Sequence, residues 1–451
     1  MMAKRPRTDA TLYDSQSASS SSIDDVSTTP FQLSENVTVS LHAMGAPTLR
    51  VCVSSTNIVL GVPPELYVPI VARRIAVCDY LYRRFIDVVV STAAVPVVVL
   101  LPPTGPDQFI LERSCITVST VDNGTVVIDV GVSSSDVRPF ILTSLPALVD
   151  RWLAASQLNT PAATLHWQCA EDQDVLRALL VERNGVAFIA NGAILPRAGG
   201  NDDSALANAV PFEAPPTLAA EVDLPHRGRT TGMLIPRGVT VVTGGGYHGK
   251  STLLRAIAVG TYNKVPGDGR EFVVTAARSV GIRSEDGRYV SGVDVSPFID
   301  NLPGAAGIDP RNFSTASASG STSMAANVVE ALELQPELFL LDEDTCASNF
   351  MVRDSRMRSM IANEPITPFI YRVNALFKQK GVSSVVVIGG CGDWFDVQDV
   401  TVMLDNYRCL DMSKKARSIS KTFCTGRVEF NGRGLVHQVG KQIISSGQVI
   451  R

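Results

Sequence analysis

The stretch Thr240–Thr252, Thr-Val-Val-Thr-Gly-Gly-Gly-Tyr-His-Gly-Lys-Ser-Thr, constrains this chain more than any other. An apolar, β-branched run meets three glycines, and Leu253, Leu254, Ala256 and Ile257 follow at helical spacing. That order reads strand, turn, helix. Inside it, Gly244 to Ser251 spell G-x-x-x-x-G-K-S, a phosphate-cradling loop. Glycines let backbone N–H groups turn toward a polyphosphate, and the helix N-terminus adds partial positive charge. The candidate nucleotide contacts are therefore Gly244, Gly245, Gly246, Tyr247, His248, Gly249, Lys250, Ser251 and Thr252. Lys250 is placed to reach the β- and γ-phosphates, and the Ser251 hydroxyl to join a Mg2+ shell. The plain alternative is a glycine-rich turn that matches by chance.

Such a loop needs an acidic partner element. Pro336–Glu343, Pro-Glu-Leu-Phe-Leu-Leu-Asp-Glu, supplies an apolar strand ending in two carboxylates. Asp342 is placed to hold the Mg2+ shell, and Glu343 to orient or deprotonate an attacking water. Between the two motifs, Phe313–Ser323 reads as a loop of small residues opening onto a helix at Met324–Leu334. A small-residue loop at a helix N-terminus is a second anion site. One chain rarely needs two such sites for one γ-phosphate. The economical reading is a homodimer in which Ser319, Gly320 and Ser321 of one copy cap the nucleotide held by the other. A serine-rich linker with an N-capping serine is the bland alternative.

The rest of the chain sets the frame. Length suggests roughly two to four domains, and a hydrophobic fraction of 45% is ample for large cores. Eight scattered cysteines without a C-x-x-C read as reduced, mostly buried thiols rather than disulfides or a zinc site. Residues 1–36 are a Ser-rich tail expected to be disordered. Residues 37–195 read as a smaller mixed α/β domain. In it, Val71, Ile75, Cys78, Leu81 and Phe85 share one helical face, with Arg73, Arg74, Arg83 and Arg84 elsewhere around it, a pattern suited to phosphate contact or, more simply, a solvated face. Val88–Leu101 reads as one or two buried strands and is too short and β-branched to span a membrane. Cys115–Val121 and Val126–Val132 read as a hairpin about Asp122-Asn123-Gly124. Helices are expected over 136–155 and 174–183, and a strand over 186–190. Residues 196–231 read as a linker rich in Gly and Pro. From Gly232 to 412, strands at 238–242, 272–275, 338–341 and 384–388 alternate with helices, as in a parallel α/β sheet. Residues 413–451 form a basic C-terminal segment. Over 408–451, Lys/Arg at 408, 414, 415, 417, 421, 427, 433, 441 and 451 outnumber Asp411 and Glu429, which suits phosphate-backbone contact with RNA.

These motifs carry a resemblance. Gly244–Leu254 (GGGYHGKSTLL), 266–271 (PGDGRE), 285–288 (EDGR), 318–323 (ASGSTS), 342–351 (DEDTCASNFM), 364–370 (EPITPFI) and 388–397 (IGGCGDWFDV) stand in the order of an ABC ATPase. The chain resembles the family described as predicted ATPases of the ABC class, strongly over about 185–412. The resemblance implies a P-loop NTPase fold of ABC type, ATP and Mg2+, and a head-to-tail homodimer. One kinetoplastid member is associated with the mitochondrial RNA-editing machinery, so the likeness extends the expectation to RNA, an RNA-processing complex and a mitochondrial location. Nucleus or cytoplasm stays open, because the N-terminus shows no clear presequence.

Departures from the family pattern are equally plain. Asn349 replaces the D-loop aspartate. No glutamine lies between Ser251 and Leu334, leaving Asp294 or Asp300 to substitute. No histidine lies between His248 and His437, so Gly389–Asp393 occupies the place of the switch histidine. The expected function is ATP hydrolysis at a dimer interface, coupled to RNA binding or remodelling. A nucleotide-gated RNA clamp with negligible turnover, or an ATPase acting on a protein partner, remains as the alternative.

Overall fold

The structure is a computed structural model. It describes residues 31–34, 37–43, 48–55, 70–92, 98–99, 107–118, 126–133, 144–300, 309–361 and 363–423. The chain divides into two compact units. The first holds residues up to 106 and 112–164; the second holds 107–111 and everything from Leu165.

In the first unit an antiparallel sheet runs in the order Phe31–Ser34, Val37–Ala43, Thr48–Ser55, Val126–Ser133, Val98–Val99. Phe31–Ser34, read from sequence as part of the tail, is a strand paired with the next one; the rest of residues 1–36 lies outside the described residues. Ile116–Val118 pairs with Val126–Ile128 as the hairpin reading requires, though its turn lies outside the described residues. The expected helix runs further than its pattern suggested, from Val71 to Ser91. Val88 extends the Leu81–Phe85 stripe by three residues and is buried, so the start of the valine run is helix and not strand. Phe85 meets Trp152 edge to face at 5.8 Å, and Trp152 Nε1 donates to Leu81 O at 3.0 Å. The arginines of this helix are not a uniformly solvated face. Arg73 is buried, and Arg83 and Arg113 both donate to the buried carboxylate of Asp79.

The second unit opens with helix α1 (Pro161–Glu182), whose first turn contains the unit boundary. Strands β1 (Gly185–Ala190), β2 (Ala219–Leu224) and β3 (Gly228–Pro236) follow. The phosphate-loop strand is β4 (Val239–Gly244), leading into helix α2 (Lys250–Ala258). Then come β5 (Val273–Thr275), β6 (Ser279–Ile282), β7 (Arg288–Val293) and β8 (Phe313–Ala318). Helix α3 is Gly320–Glu333, β9 is Leu338–Asp342 and β10 is Ser383–Val387. The last elements are β11 (Val400–Asp405), β12 (Arg408–Asp411) and helix α4 (Ser413–Phe423).

Two sheets organise these elements. One is ordered β6-β9-β10-β4-β11-β12, with every pair parallel except the final hairpin. The other is antiparallel, ordered β2-β3-β1-β5. The expected linker thus contains an antiparallel pair, Arg197–Gly199 with Asp202–Ala205, together with β2 and the start of β3, and the expected parallel strand at 272–275 belongs to the antiparallel sheet. The expected boundary at 195 also differs from the structural one near Leu165. Strand β1 pairs with β3 and β5, and that pairing draws the chain from α1 onward into the second unit.

The parallel strands are buried on both faces, as crossover helices dictate. Phe339, Leu341 and Val386 pack with Met324, Val328 and Phe298 on one side. Leu338, Leu340, Val385 and Val387 pack with Leu253 and Ile257 of α2, together with Ile189 and Met233 of the antiparallel sheet, on the other. Consecutive residues go to opposite faces, the two-residue period of a strand. That burial fixes where each strand ends, and the ends carry the chemistry.

Candidate functional site

Parallel strands bring their carboxyl ends to one edge. Val242 of β4, Val387 of β10 and Asp342 of β9 are level across three neighbouring strands. Gly244 lies two residues beyond that line, Gly389 two beyond and Glu343 one beyond. The phosphate loop, the double glycine and the paired acids therefore converge on one edge, the usual ligand crevice of an open α/β sheet.

The loop is built on two glycines that nothing else can replace. Gly244 has φ +142°, and a Cβ there would sit 2.3 Å from Leu404 O. Gly249 has φ +96° and faces the Tyr407 ring, whose Cδ1 would be 3.2 Å from an added Cβ. Lys250 Nζ donates to Gly244 O and Gly245 O, each at 2.9 Å, closing the loop on itself. His248 points back to the β11–β12 turn: its Nδ1 lies 3.3 Å from both Leu404 O and Asn406 N, and 3.5 Å from Asp405 Oδ1. Nδ1 thus faces that turn, while Cε1 and Nε2 lie against Gly245 of the loop, 3.0 and 3.2 Å from where a Cβ would be. Tyr247 is 99% exposed at φ +63°. Ser251 and Thr252 begin α2 just behind the lysine.

Asp342 Oδ1 accepts from Asp344 N at 3.2 Å. Glu343 Oε2 accepts from the amides of Gly389 (2.5 Å) and Gly390 (3.0 Å). Two main-chain donors thus grip the carboxylate where a switch histidine was expected. Cys346 and Cys391 flank the acids, and burial pushes the Cys346 thiol up to about 12 and Cys391 upward as well. Neither supplies a thiolate near neutral pH. Cys78, Cys115, Cys169, Cys346, Cys391 and Cys409 are free, and Cys78, Cys115, Cys169 and Cys409 are buried, as the scatter of cysteines implied.

Helix α3 begins at Gly320, not Met324, and the preceding serine-rich segment is strand rather than loop. Residues 313–318 pair antiparallel with β7, a partner invisible to local propensity. Ser323 is the first residue whose N–H is taken inside the helix, by Ser319 O at 2.8 Å, so the earlier amides stay open to an anion. Gly320 permits a close approach: a Cβ there would lie 2.5 Å from Ser284 Oγ and 2.9 Å from Asp286 Oδ1. Ser321 is buried and its hydroxyl donates to Asn349, leaving only its amide for a ligand. Asn349 thus ties the segment after the acids to the helix start.

Among the described residues, no hydrogen bond links Ser319–Ser321 to residues 244–252. Strand β6, against which α3 packs, lies three strands from β4, about 14 Å at ordinary strand spacing. Asp294 and Asp300, offered in place of the missing glutamine, both lie outside the strands of the parallel sheet. Asp294 caps Ser296 through its N–H and Oγ after β7, outside the parallel sheet, and Asp300 N bonds Pro365 O. Sequence reasoning missed what does arrive there. Ile282 is level with Leu341, so Arg283-Ser284 leaves β6 beside the acids, and Ser284 N donates to Thr345 O at 2.9 Å. Only the parallel register, which pairs residues some 60 apart, reveals it.

The family model "ABC_ATPase: P-loop domain" matches residues 159–439. An uncharacterized protein of Methanocaldococcus jannaschii is 34% identical over 195 residues, covering 40% of this chain. The alignment covers 42% of that protein, so the chain spans less than half of this curated relative's length. Among solved structures, a part of the ABC transporter complex cbiONQ from Clostridium perfringens aligns over 53% of this chain and 93% of its own, at 14% identity and TM-score 0.31. The ADP conformation of an ATP-binding cassette of an ABC transporter aligns over 52% and 95%, at 10% identity and TM-score 0.32. Those scores are low, and the fold assignment rests on the family match. The matches bear on the ABC class and not on the narrower kinetoplastid resemblance. Among the described residues no helix is long and apolar enough to cross a membrane.

Proposed function

This chain belongs to the ABC ATPase P-loop family, and on that premise we propose that two copies pair head to tail and hydrolyse ATP between them. In each site the first copy supplies Gly244–Thr252, Asp342 and Glu343, and the second supplies the open amides of Gly320 and Ser321 with Ser319. Lys250 exchanges its two carbonyl partners for the β- and γ-phosphate oxygens. Glu343 keeps Oε2 on the Gly389 and Gly390 amides and uses Oε1 to orient the attacking water. The α3 N-terminus and Lys250 stabilise charge on the equatorial oxygens.

The Ser251 hydroxyl and the Asp342 carboxylate are hard oxygen donors and fit Mg2+. Held by these two residues, Mg2+ would supply charge neutralisation to the polyphosphate. The observation that carries the proposal is the grip on Glu343: two amides preorganise a carboxylate beside the loop's own edge. Glu343→Gln is expected to cut phosphate release at least about 100-fold while ATP still binds and now holds two copies together. Unchanged phosphate release would end the hydrolase reading.

Helix α4 extends the proposal to RNA. Lys414, Lys415 and Lys421 are exposed, Arg417 donates to Asp399 O, and the helix contains no acid. Neutralising Lys414, Lys415 and Arg417 together is expected to flatten the salt dependence of single-stranded RNA binding, by about 0.7 in log–log slope for each phosphate no longer neutralised. An unaltered slope would favour a protein partner instead. The reading carries an intracellular location, and a mitochondrial one follows only if the sequence likeness extends that far.

A further inference from the structure

The turn between β11 and β12 holds an aromatic ring against the phosphate loop. Asp405 pairs with Arg408, leaving Asn406 and Tyr407 as a two-residue hairpin loop. Both have positive φ, +47° and +67°. A turn of that kind favours Asn-Gly, and a tyrosine in the second position carries strain that glycine would remove. Strained residues of this sort gather at ligand sites, so the question is what Tyr407 gains.

Its surroundings answer. Tyr407 is 56% exposed, yet one edge of its ring lies against Gly249, the residue before Lys250, with Cδ1 and Cε1 at 3.2 and 3.8 Å from where a Cβ would be. The turn is fastened to the loop at three points. Leu404 O sits over Gly244, Tyr407 over Gly249, and His248 Nδ1 lies between Leu404 O and Asn406 N. The ring is therefore fixed in position beside the lysine and open on its other side. Tyr247 is the rival aromatic, but at 99% exposed it has no wall behind it and nothing to hold its plane.

Resting on the ATP reading above, we infer that Tyr407 is the platform on which the nucleobase stacks, and that His248 is a positioning residue that holds the platform against the loop. A rigid aromatic with one open face takes a base of any identity through its π-face. The base then lies over the β11–β12 turn while the phosphates lie over residues 244–252. This gives a reason for the histidine inside the loop and for the strain at 407.

The test compares Mg·ATP with Mg·tripolyphosphate, which has the phosphates and no base, by calorimetry. The variant is Tyr407→Gly, which relieves the turn, so its melting temperature is expected to equal or exceed that of the wild type. It is expected to bind ATP roughly 5- to 100-fold more weakly, with tripolyphosphate binding unchanged, while Tyr407→Phe keeps ATP affinity. Equal ATP affinity in Tyr407→Gly and wild type would overturn the platform and leave the phosphate loop standing. So would a matching loss in Tyr247→Ala with none in Tyr407→Gly. Wild-type protein that binds neither ligand would overturn the ATP reading itself, and the platform with it.

Discussion

Two glycine-and-charge motifs lie in the same unit and do opposite things. In Gly244–Ser251 the charged lysine caps two carbonyls of its own loop, and Gly245, Gly246 and Tyr247 beside them are exposed. In Pro266–Glu271 every charge is consumed. Arg197 forks onto both Asp268 carboxylate oxygens at 2.7 Å and donates to Asp268 O at 2.8 Å. Arg270 donates to Leu195 O, its own amide donates to Asp268, and Gly267 N donates to Glu271. The Asp268 side chain is fully buried. In sequence the two look alike, since both are short, glycine-rich and charged. Their difference is one of saturation. A buried carboxylate already clasped by a guanidinium is not free for a ligand, whereas a lysine at an open edge that holds only carbonyls can exchange them for phosphate.

The contrast breaks most sharply by substitution. Lys250→Ala should lower ATP turnover at least about 100-fold with little change in unfolding free energy, since its partners are carbonyls at an open edge. Asp268→Ala should do the reverse. It leaves Arg197 as an uncompensated, largely buried cation, at a cost of about 3–5 kcal/mol in denaturant unfolding. Activity in the fraction that stays folded should be near normal. A stable, inactive Asp268→Ala protein would erase the distinction between clasp and site.

A subtler difference lies beside the clasp. Lys264 is fully buried, its Nζ donating to Tyr262 O and Val273 O at 3.1 and 3.2 Å. Burial pulls its pKa down to about 7, while Asp268 raises it and Arg177, Arg270 and Arg197 lower it. The folded value lies below the ordinary 10.5, so the unfolded chain binds more protons between about pH 7 and 10.5. Stability from this group therefore rises with pH across that window and is flat below it, where both states are charged. Urea unfolding at about pH 7 and pH 9.5 should show a larger gain in the wild type than in Lys264→Met, which has no proton to lose. Equal gains would mean that the buried amine stays charged throughout.

Local signals carried much of this. The β-branched run before Gly244, the apolar run before Asp342 and the valines of β10 each lie in their strands within a residue or two, because neighbouring residues decide them. What failed was decided by distant partners. Strand β8 reads as loop because Ser314, Thr315 and Ser317 are small and polar, and only β7 makes them a strand. Strand β2 reads as linker because Glu221 and Asp223 hide the burial of Val222 and Leu224. Strand β5 has the composition of a parallel strand and joins the other sheet. At the site, the paired acids were legible, but the amides that grip Glu343 lie 46 residues away, and the turn that His248 holds lies about 156 residues away. Nothing in the spacing of residues announces those contacts.

The central claim is that the phosphate loop and the α3 N-terminus of different copies form one site. Mixing two inactive proteins tests it most directly. Lys250→Ala destroys the loop and leaves α3 intact. Gly320→Asp places a negative charge at the α3 start and leaves the loop intact. Neither alone should hydrolyse ATP. Random pairing at equal amounts makes half the dimers mixed, each with one intact composite site, so the account predicts recovery of roughly a quarter of wild-type phosphate release. A mixture as inactive as its components, with mixed dimers verified, would contradict the shared site.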